Sequence, residues 1–240
     1  MKNPLAIASA AILSILPAVA ADDANQNNWV GNITASEQVV QVGNVPSVNW
    51  DVSYPLGLAD LVTLKDNSIT TKTEVVMETR MIGAGWGLKT NFHYVEGKMR
   101  VGSSSFFEIF YGDHWMIDSS KVVYTNTLPA GTVIHFSGRG AKDKSGPYFS
   151  QWSSLFTTEF ATPNIVTLTN GDPAPQYDPA FDIQMAVEDY LTPYVDTQTG
   201  LITLGPRDII YLFDFNSYGT KWYDLQDMGI LVTFTEKEQN

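Results

Sequence analysis

Short runs rich in Val, Ile, Thr and aromatic residues, each closed off by a cluster of turn formers, recur along most of this chain and confine it to a β-rich fold. The runs are Val39 to Tyr54, Thr73 to Ile82, Thr90 to Tyr94, Ser105 to Tyr111, Lys121 to Tyr124, Thr132 to Phe136, Asn164 to Leu168, Ile209 to Phe215 and Gly229 to Thr235. Branched and aromatic side chains fit a pleated, half-buried surface, which is why such runs read as strands. Between them stand Asn44 to Pro46, Pro55 to Gly57, Gly83 to Gly87, Pro129 to Gly131, Gly138 to Gly146 and Asn170 to Pro175, where Gly, Pro, Asn and Asp turn the chain. This spacing is that of an all-β sandwich with loop insertions. No internal repeat and no dividing linker interrupts residues 37–240, which are expected to form one domain. One stretch breaks the pattern. Asp178 is a plausible N-cap, Pro179 suits the first helical position, and Ile183, Val187, Tyr190 and Leu191 share a face before Thr192-Pro193. One short helix crossing a face of the sandwich is predicted there.

The first twenty residues have the form of a signal peptide: Lys2, an apolar run from Leu5 to Leu16, then Pro17 and the small-x-small sequence Ala18-Val19-Ala20. Cleavage after Ala20 leaves a mature chain long enough to bury roughly 70% of the surface its unfolded form exposes. No later run approaches the roughly 20 apolar residues that a membrane-spanning helix needs. The chain has no cysteine, which rules out disulfides, thiol catalysis and thiolate metal sites. Acidic residues number 26 against 14 basic ones, and one of the latter, Lys2, leaves with the signal peptide. Such a balance argues against nucleic acid as a partner and suits a soluble secreted surface.

Behind the signal peptide, residues 21–36 form an extension of their own. Asp22 to Asn28 contains no large apolar side chain, and then Trp29, Gly31, Ile33 and Ala35 alternate with Val30, Asn32, Thr34 and Ser36. Period-two alternation places the first set on one face of a strand. A solvated leash followed by a one-faced strand suits pairing with another molecule. At the other end Ile230, Val232 and Phe234 alternate with Leu231, Thr233 and Thr235, which predicts a last strand with one apolar face, followed by a polar tail.

Catalytic motifs are weak. The histidines His93, His114 and His135 fall in no HExxH pattern and in no i, i+4 pair, no GxSxG elbow is present, and the serines at 103–105 and 153–154 lack an activating context. Asp208 with Asp214, or Asp172 with Asp178, could form the carboxylate pair of a glycosidase, but carboxylates are common in an acidic chain. Asn170 to Asp178 lacks the ligand alternation and terminal Glu of a calcium loop, and Asn32-Ile33-Thr34 is a glycosylation sequon lying inside a predicted strand. The expectation is a chain that is not an enzyme and needs no cofactor or metal. Aromatic residues beside polar loops are more suggestive: Trp86 between glycines, and Tyr148 and Trp152 after the basic loop that starts at Gly138. Flat rings beside hydrogen-bonding groups suit sugars, although core packing at strand ends accounts for the same residues. They are the candidate ligand-binding residues.

The segments Asn28-Trp29-Val30-Gly31-Asn32-Ile33-Thr34 and Pro46-Ser47-Val48-Asn49-Trp50-Asp51-Val52 resemble the N-terminus of K88 (F4) and F41-type fimbrial subunits of enterobacteria. The absence of cysteine fits that branch. The resemblance implies an immunoglobulin-like sandwich that lacks its last strand and is completed by donor-strand exchange, a form of β-augmentation. It further implies that Trp29, Gly31, Ile33 and Ala35 are the donor face, and that Ile230, Val232 and Phe234 line the strand that a periplasmic chaperone pairs with. Neighbouring subunits, chaperone and outer-membrane usher would be the partners, the fimbrium at the cell surface the destination, and a host glycoconjugate the candidate receptor. A monomeric secreted carbohydrate-binding module is the alternative, and a secreted hydrolase a distant third.

Overall fold

The computed structural model describes residues 30–35, 48–53, 56–88, 91–142, 151–175 and 190–237. The signal peptide, Trp29, Tyr148 and the predicted helical positions Asp178 to Val187 lie outside the described residues. In chain order the strands are β1 (Val30–Ala35), β2 (Val48–Ser53), β3 (Val62–Lys65), β4 (Ser68–Thr71), β5 (Val75–Gly83), β6 (Gly87–Leu88), β7 (Asn91–Phe92), β8 (Val95–Val101) and β9 (Phe107–Gly112). They continue with β10 (Val122–Leu128), β11 (Val133–Gly140), β12 (Phe156–Thr157), β13 (Ile165–Leu168), β14 (Val195–Asp196), β15 (Leu201–Ile202), β16 (Asp208–Phe213) and β17 (Met228–Glu236). One α-helical turn, α1 (Leu58–Leu61), precedes β3, and 3-10 turns occupy His114–Met116 and Thr192–Tyr194.

The fold is an all-β sandwich of two antiparallel sheets. One sheet has five strands in the order β10-β5-β17-β16-β13, and the other runs β3-β4-β11-β8-β9 with β12 beside β11. Their inward faces supply the core: Met77 and Met81 from β5, Met99 from β8, Ile134 and Phe136 from β11, Ile209, Tyr211 and Phe213 from β16, and Ile230, Val232 and Phe234 from β17 are all buried. Phe136 and Tyr211 meet across the two layers with ring centroids 5.2 Å apart. Burying each such side chain contributes about 1.5–3 kcal/mol.

Strand β16 is buried on both faces. Its residues Ile210 and Leu212 point away from the core into a second cluster with Leu168, Leu191, Ile202, Leu204, Leu225 and Leu231. A run as continuously apolar as Ile209 to Phe213 requires cover on both sides. Residues 190–204 provide it, and within them Tyr190 and Leu191, the last two positions of the predicted helix, are helical. Thr192-Pro193 does not end the turn there; it continues as 3-10 through Tyr194.

The two sheets touch at both long sides of the sandwich. At one, the rings of Phe107 on β9 and Tyr124 on β10 lie 5.6 Å apart. At the other, Asn67 Nδ2 donates to the Ile165 carbonyl at 3.3 Å while Thr167 Oγ1 donates to Asn67 Oδ1 at 2.9 Å. Asn67 belongs to the tight turn between β3 and β4, where Asp66 and Asn67 have φ of 49° and 68°, the two positive values of a type I′ hairpin. The runs chosen from the sequence passed over this hairpin, although Asp-Asn is a residue pair that such turns accept.

Two expectations about the chain ends need restating. The apolar face of the last strand is where the alternation puts it, but β17 is an interior strand, paired with β16 along one edge and with β5 along the other. In the folded chain both edges of the strand that carries Ile230, Val232 and Phe234 are bonded internally. The polar tail also starts later than expected, since β17 runs on through Thr235 to Glu236. At the N-terminal end, Gly31, Ile33 and Ala35 lie in β1, which pairs antiparallel with β2 so that Ile33 stands opposite Trp50. These two strands make a sheet of their own, outside both layers. The chain joins the body at Leu56, whose N–H donates to Glu236 Oε1 (3.1 Å) and whose carbonyl accepts from Arg207 Nε (2.7 Å). Arg207 also reaches Glu236 Oε1 at 2.6 Å, closing a clamp around Leu56.

Candidate functional site

Two irregular segments meet at one end of the sandwich and leave a cleft between them. The first is the glycine-rich continuation of β5. Gly85 N–H donates to the Gln226 carbonyl at 3.0 Å, and a Cβ at Gly85 would stand 2.6 Å from that same oxygen, so no side chain fits there. A Cβ at Gly83 would stand 2.7 Å from the ring of Tyr190. The two glycines let the backbone run between Tyr190 and residue 226, and this delivers Trp86 to the cleft wall.

Trp86 is half-buried and held at several points. Its indole Nε1 donates to the Ala141 carbonyl at 2.5 Å, and its ring meets Phe215 edge-on at 5.9 Å between centroids. Gly140 makes room for it, since a Cβ there would lie 2.4 Å from the indole. His93 Nδ1 lies 3.1 Å from the same Ala141 oxygen, and the His93 N–H donates to the Trp86 carbonyl at 2.8 Å. A carbonyl only accepts, so this contact places a proton on His93 Nδ1.

The second segment connects β16 to β17, and buried carboxylates organise it. Asp214 Oδ1 accepts the Asn216 N–H at 2.7 Å, while Oδ2 accepts those of Asp224 (2.6 Å) and Leu225 (2.9 Å). Asp227 Oδ2 accepts the Phe215 N–H at 2.5 Å. Asn164 Nδ2 donates to the carbonyls of Asp214 and Asn216, and Asn216 Nδ2 donates to that of Trp222. The loop is fixed by side-chain bonds to its backbone, as expected where irregular chain is buried.

Between the two segments lies a cleft of about 300 Å³ whose walls include Trp86, His93, Lys142, Trp222, Asp224 and Asp227. Trp222 is 40% exposed, and Lys221 Nζ lies 4.5 Å from the centre of its ring. The floor is electrostatically unusual. Burial, and then the neighbouring Asp214, push the Asp224 carboxyl up to about 7. Asp227 is raised well above the carboxylate range by burial and by the charges of Asp214 and Asp224. Burial also raises Asp214, against the three N–H groups that favour its charged form. None of the three forms an ion pair among the described residues.

Of the residues singled out from the sequence, Trp86 lines this cleft and also packs on the core. Trp152 does not line it. It sits on the other side of Ala141, paired with that residue as an isolated antiparallel bridge, and Arg139 Cζ lies 4.3 Å from its ring centre. Arg139 is in turn held by Glu96, at 2.7 Å, and Glu96 also meets Lys98 at 2.8 Å. Burial raises the Glu96 carboxyl, but the bonds from Arg139 and Lys98 outweigh it and leave the group below its ordinary value. The remaining histidines go elsewhere. His114 stacks on Phe92 at 4.5 Å, and His135 is buried, its protonation disfavoured by burial and by Arg100. Asp172 Oδ2 accepts from the Thr169 N–H and hydroxyl within a turn, and Asp208 Oδ2 accepts from the Gly205 N–H. Among the described residues no group of three or more His, Asp or Glu side chains is placed to hold a metal ion.

Asp224, Asp227, Asn216 and Trp222 were not singled out from the sequence. The signal that could have found them is the crowding of Asp214, Asp224 and Asp227 around Trp222-Tyr223 in a stretch between two apolar strands. Comparison with protein-family models, with curated proteins and with solved structures finds no match.

Proposed function

We propose that this chain is an exported fimbrial subunit, structural and adhesive, which joins its neighbours through the N-terminal segment 21–36 and presents the end of its sandwich to a host surface. The observation that carries this reading is the separation of β1 and β2 from both layers of the sandwich. Among the described residues no strand of either layer pairs with β1, so β1 can leave β2 and pair with another chain while the body stays whole. The one-faced alternation of Trp29, Gly31, Ile33 and Ala35 supplies the side chains for such an exchange. Because β17 is closed on both edges, an incoming strand must use an outer edge of the sandwich, and Ile230, Val232 and Phe234 serve the core instead.

Size-exclusion chromatography with light scattering tests this. Mature chain 21–240 is expected to form oligomers that lack in a chain beginning at residue 37. Equal assembly of the two would overturn the proposal. The closed β17 favours a second reading, a monomeric secreted binding module, for which both chains would run as single stable monomers.

A further inference from the structure

We propose that the cleft between Trp86 and Trp222 is a binding site for an organic ammonium ion, seated against the tryptophan rings with its positive charge facing Asp224 and Asp227. The cavity comes first. At about 300 Å³ it has room for a small molecule, and its wall combines two indoles with a few polar groups, the usual make-up of a small-ligand site.

The sign of the ligand follows from charge. Asp214, Asp224 and Asp227 lie in one loop within interaction range of one another, and the last two reach the cleft wall. Asp214 is satisfied by three backbone N–H groups and Asp227 by one, but these are dipoles, and no cation of the described residues pairs with any of the three. Buried like charges disfavour one another's ionisation, and a cation placed beside them reverses that effect. A neutral ligand would leave the carboxyls raised, and an anion would raise them further.

The aromatic wall argues in the same direction. Indole is the ring that holds cations best, and the Trp222 ring already has an ammonium of this chain, Lys221, 4.5 Å from its centre. The excess of acidic over basic residues across the whole chain also draws cations towards it. The inference concerns the cleft alone and holds whether the chain assembles or stays monomeric.

The test uses the mature chain and choline, whose charge is fixed at every pH, beside its neutral isostere 3,3-dimethylbutan-1-ol. Calorimetry and tryptophan fluorescence are expected to show choline binding at least about tenfold more tightly than the alcohol, a ratio typical of a desolvated cation on an aromatic wall. Trp222→Ala and Asp224→Asn should each weaken choline by about tenfold, and thermal melts show whether either variant is folded. Choline should bind more tightly at pH 8 than at pH 6. His93 and Lys142 also face the cleft, as does Asp227, with Asp214 behind them. The pH dependence therefore belongs to the carboxyl pair only if Asp224→Asn removes it while His93→Gln keeps it. Equal binding of choline and the alcohol, no binding of choline at millimolar concentration, or unchanged affinity in folded Asp224→Asn would each overturn the proposal.

Discussion

Asp214 accepts the backbone N–H of Asp224 at 2.6 Å, so one carboxylate holds in place the residue whose own carboxyl it pushes upward. The bond and the repulsion act on the same pair. Asp214→Ala removes the acceptor of three N–H groups, of which that of Leu225 is buried and those of Asn216 and Asp224 are part-buried, and leaving a buried donor unmade costs about 1–3 kcal/mol. A loss of about 2 kcal/mol is expected, read as a fall in Tm of roughly 4–8 °C for a domain of this size. A melt within about 2 °C of the parent would show that the loop does not need this carboxylate.

Asp224 carries a pH signature of known sign. Its folded-state value of about 7 is above the ordinary 3.8, so between these limits the folded chain holds a proton that the unfolded chain has lost. The associated stability is full below pH 3.8 and disappears as pH rises through about 7. Urea unfolding at pH 5 and pH 8 should show the parent losing stability over this range and Asp224→Asn losing less. An identical pH slope in the two proteins would contradict it.

Glu96 has the opposite sign. Its carboxyl lies below the ordinary 4.5, so its contribution is present above that value and is lost as pH falls through the lowered one. Arg139→Met removes the bond to Glu96 and the stacked cation on Trp152 together. A cost of about 2 kcal/mol is expected from urea unfolding at pH 7, shrinking towards pH 3 as Glu96 protonates.

Gly140→Ala tests the seating of Trp86. The added methyl would fall 2.4 Å from the indole, and a core that cannot yield typically loses about 1–3 kcal/mol on such overpacking. A shifted Trp86 emission maximum together with weaker choline binding is expected. Unchanged fluorescence would mean that the ring moves aside without cost.

Strand positions were legible in the sequence wherever alternation or a continuous apolar run met a turn former, as at Val75 to Gly83 and Asp208 to Phe213. The order of those strands was not. Ile230, Val232 and Phe234 announce an apolar face, but a face does not say which neighbours flank it, and β17 proved to be interior. The cleft was half legible. Trp86 stands out between glycines, whereas Asp224 and Asp227 acquire their character from burial and from each other, and neither is a local property of sequence.

The position of β17 sets the order in which the body can form. Residues 228–236 bridge β5, contributed by residues 75–83, and β16, contributed by residues 208–213, so the five-stranded sheet stays in two pieces until the last of these segments is present. A chain emerging N-terminus first therefore cannot close its core while it is being synthesised. It stays open until residue 236 is released, a state in which its apolar strands need protection from each other.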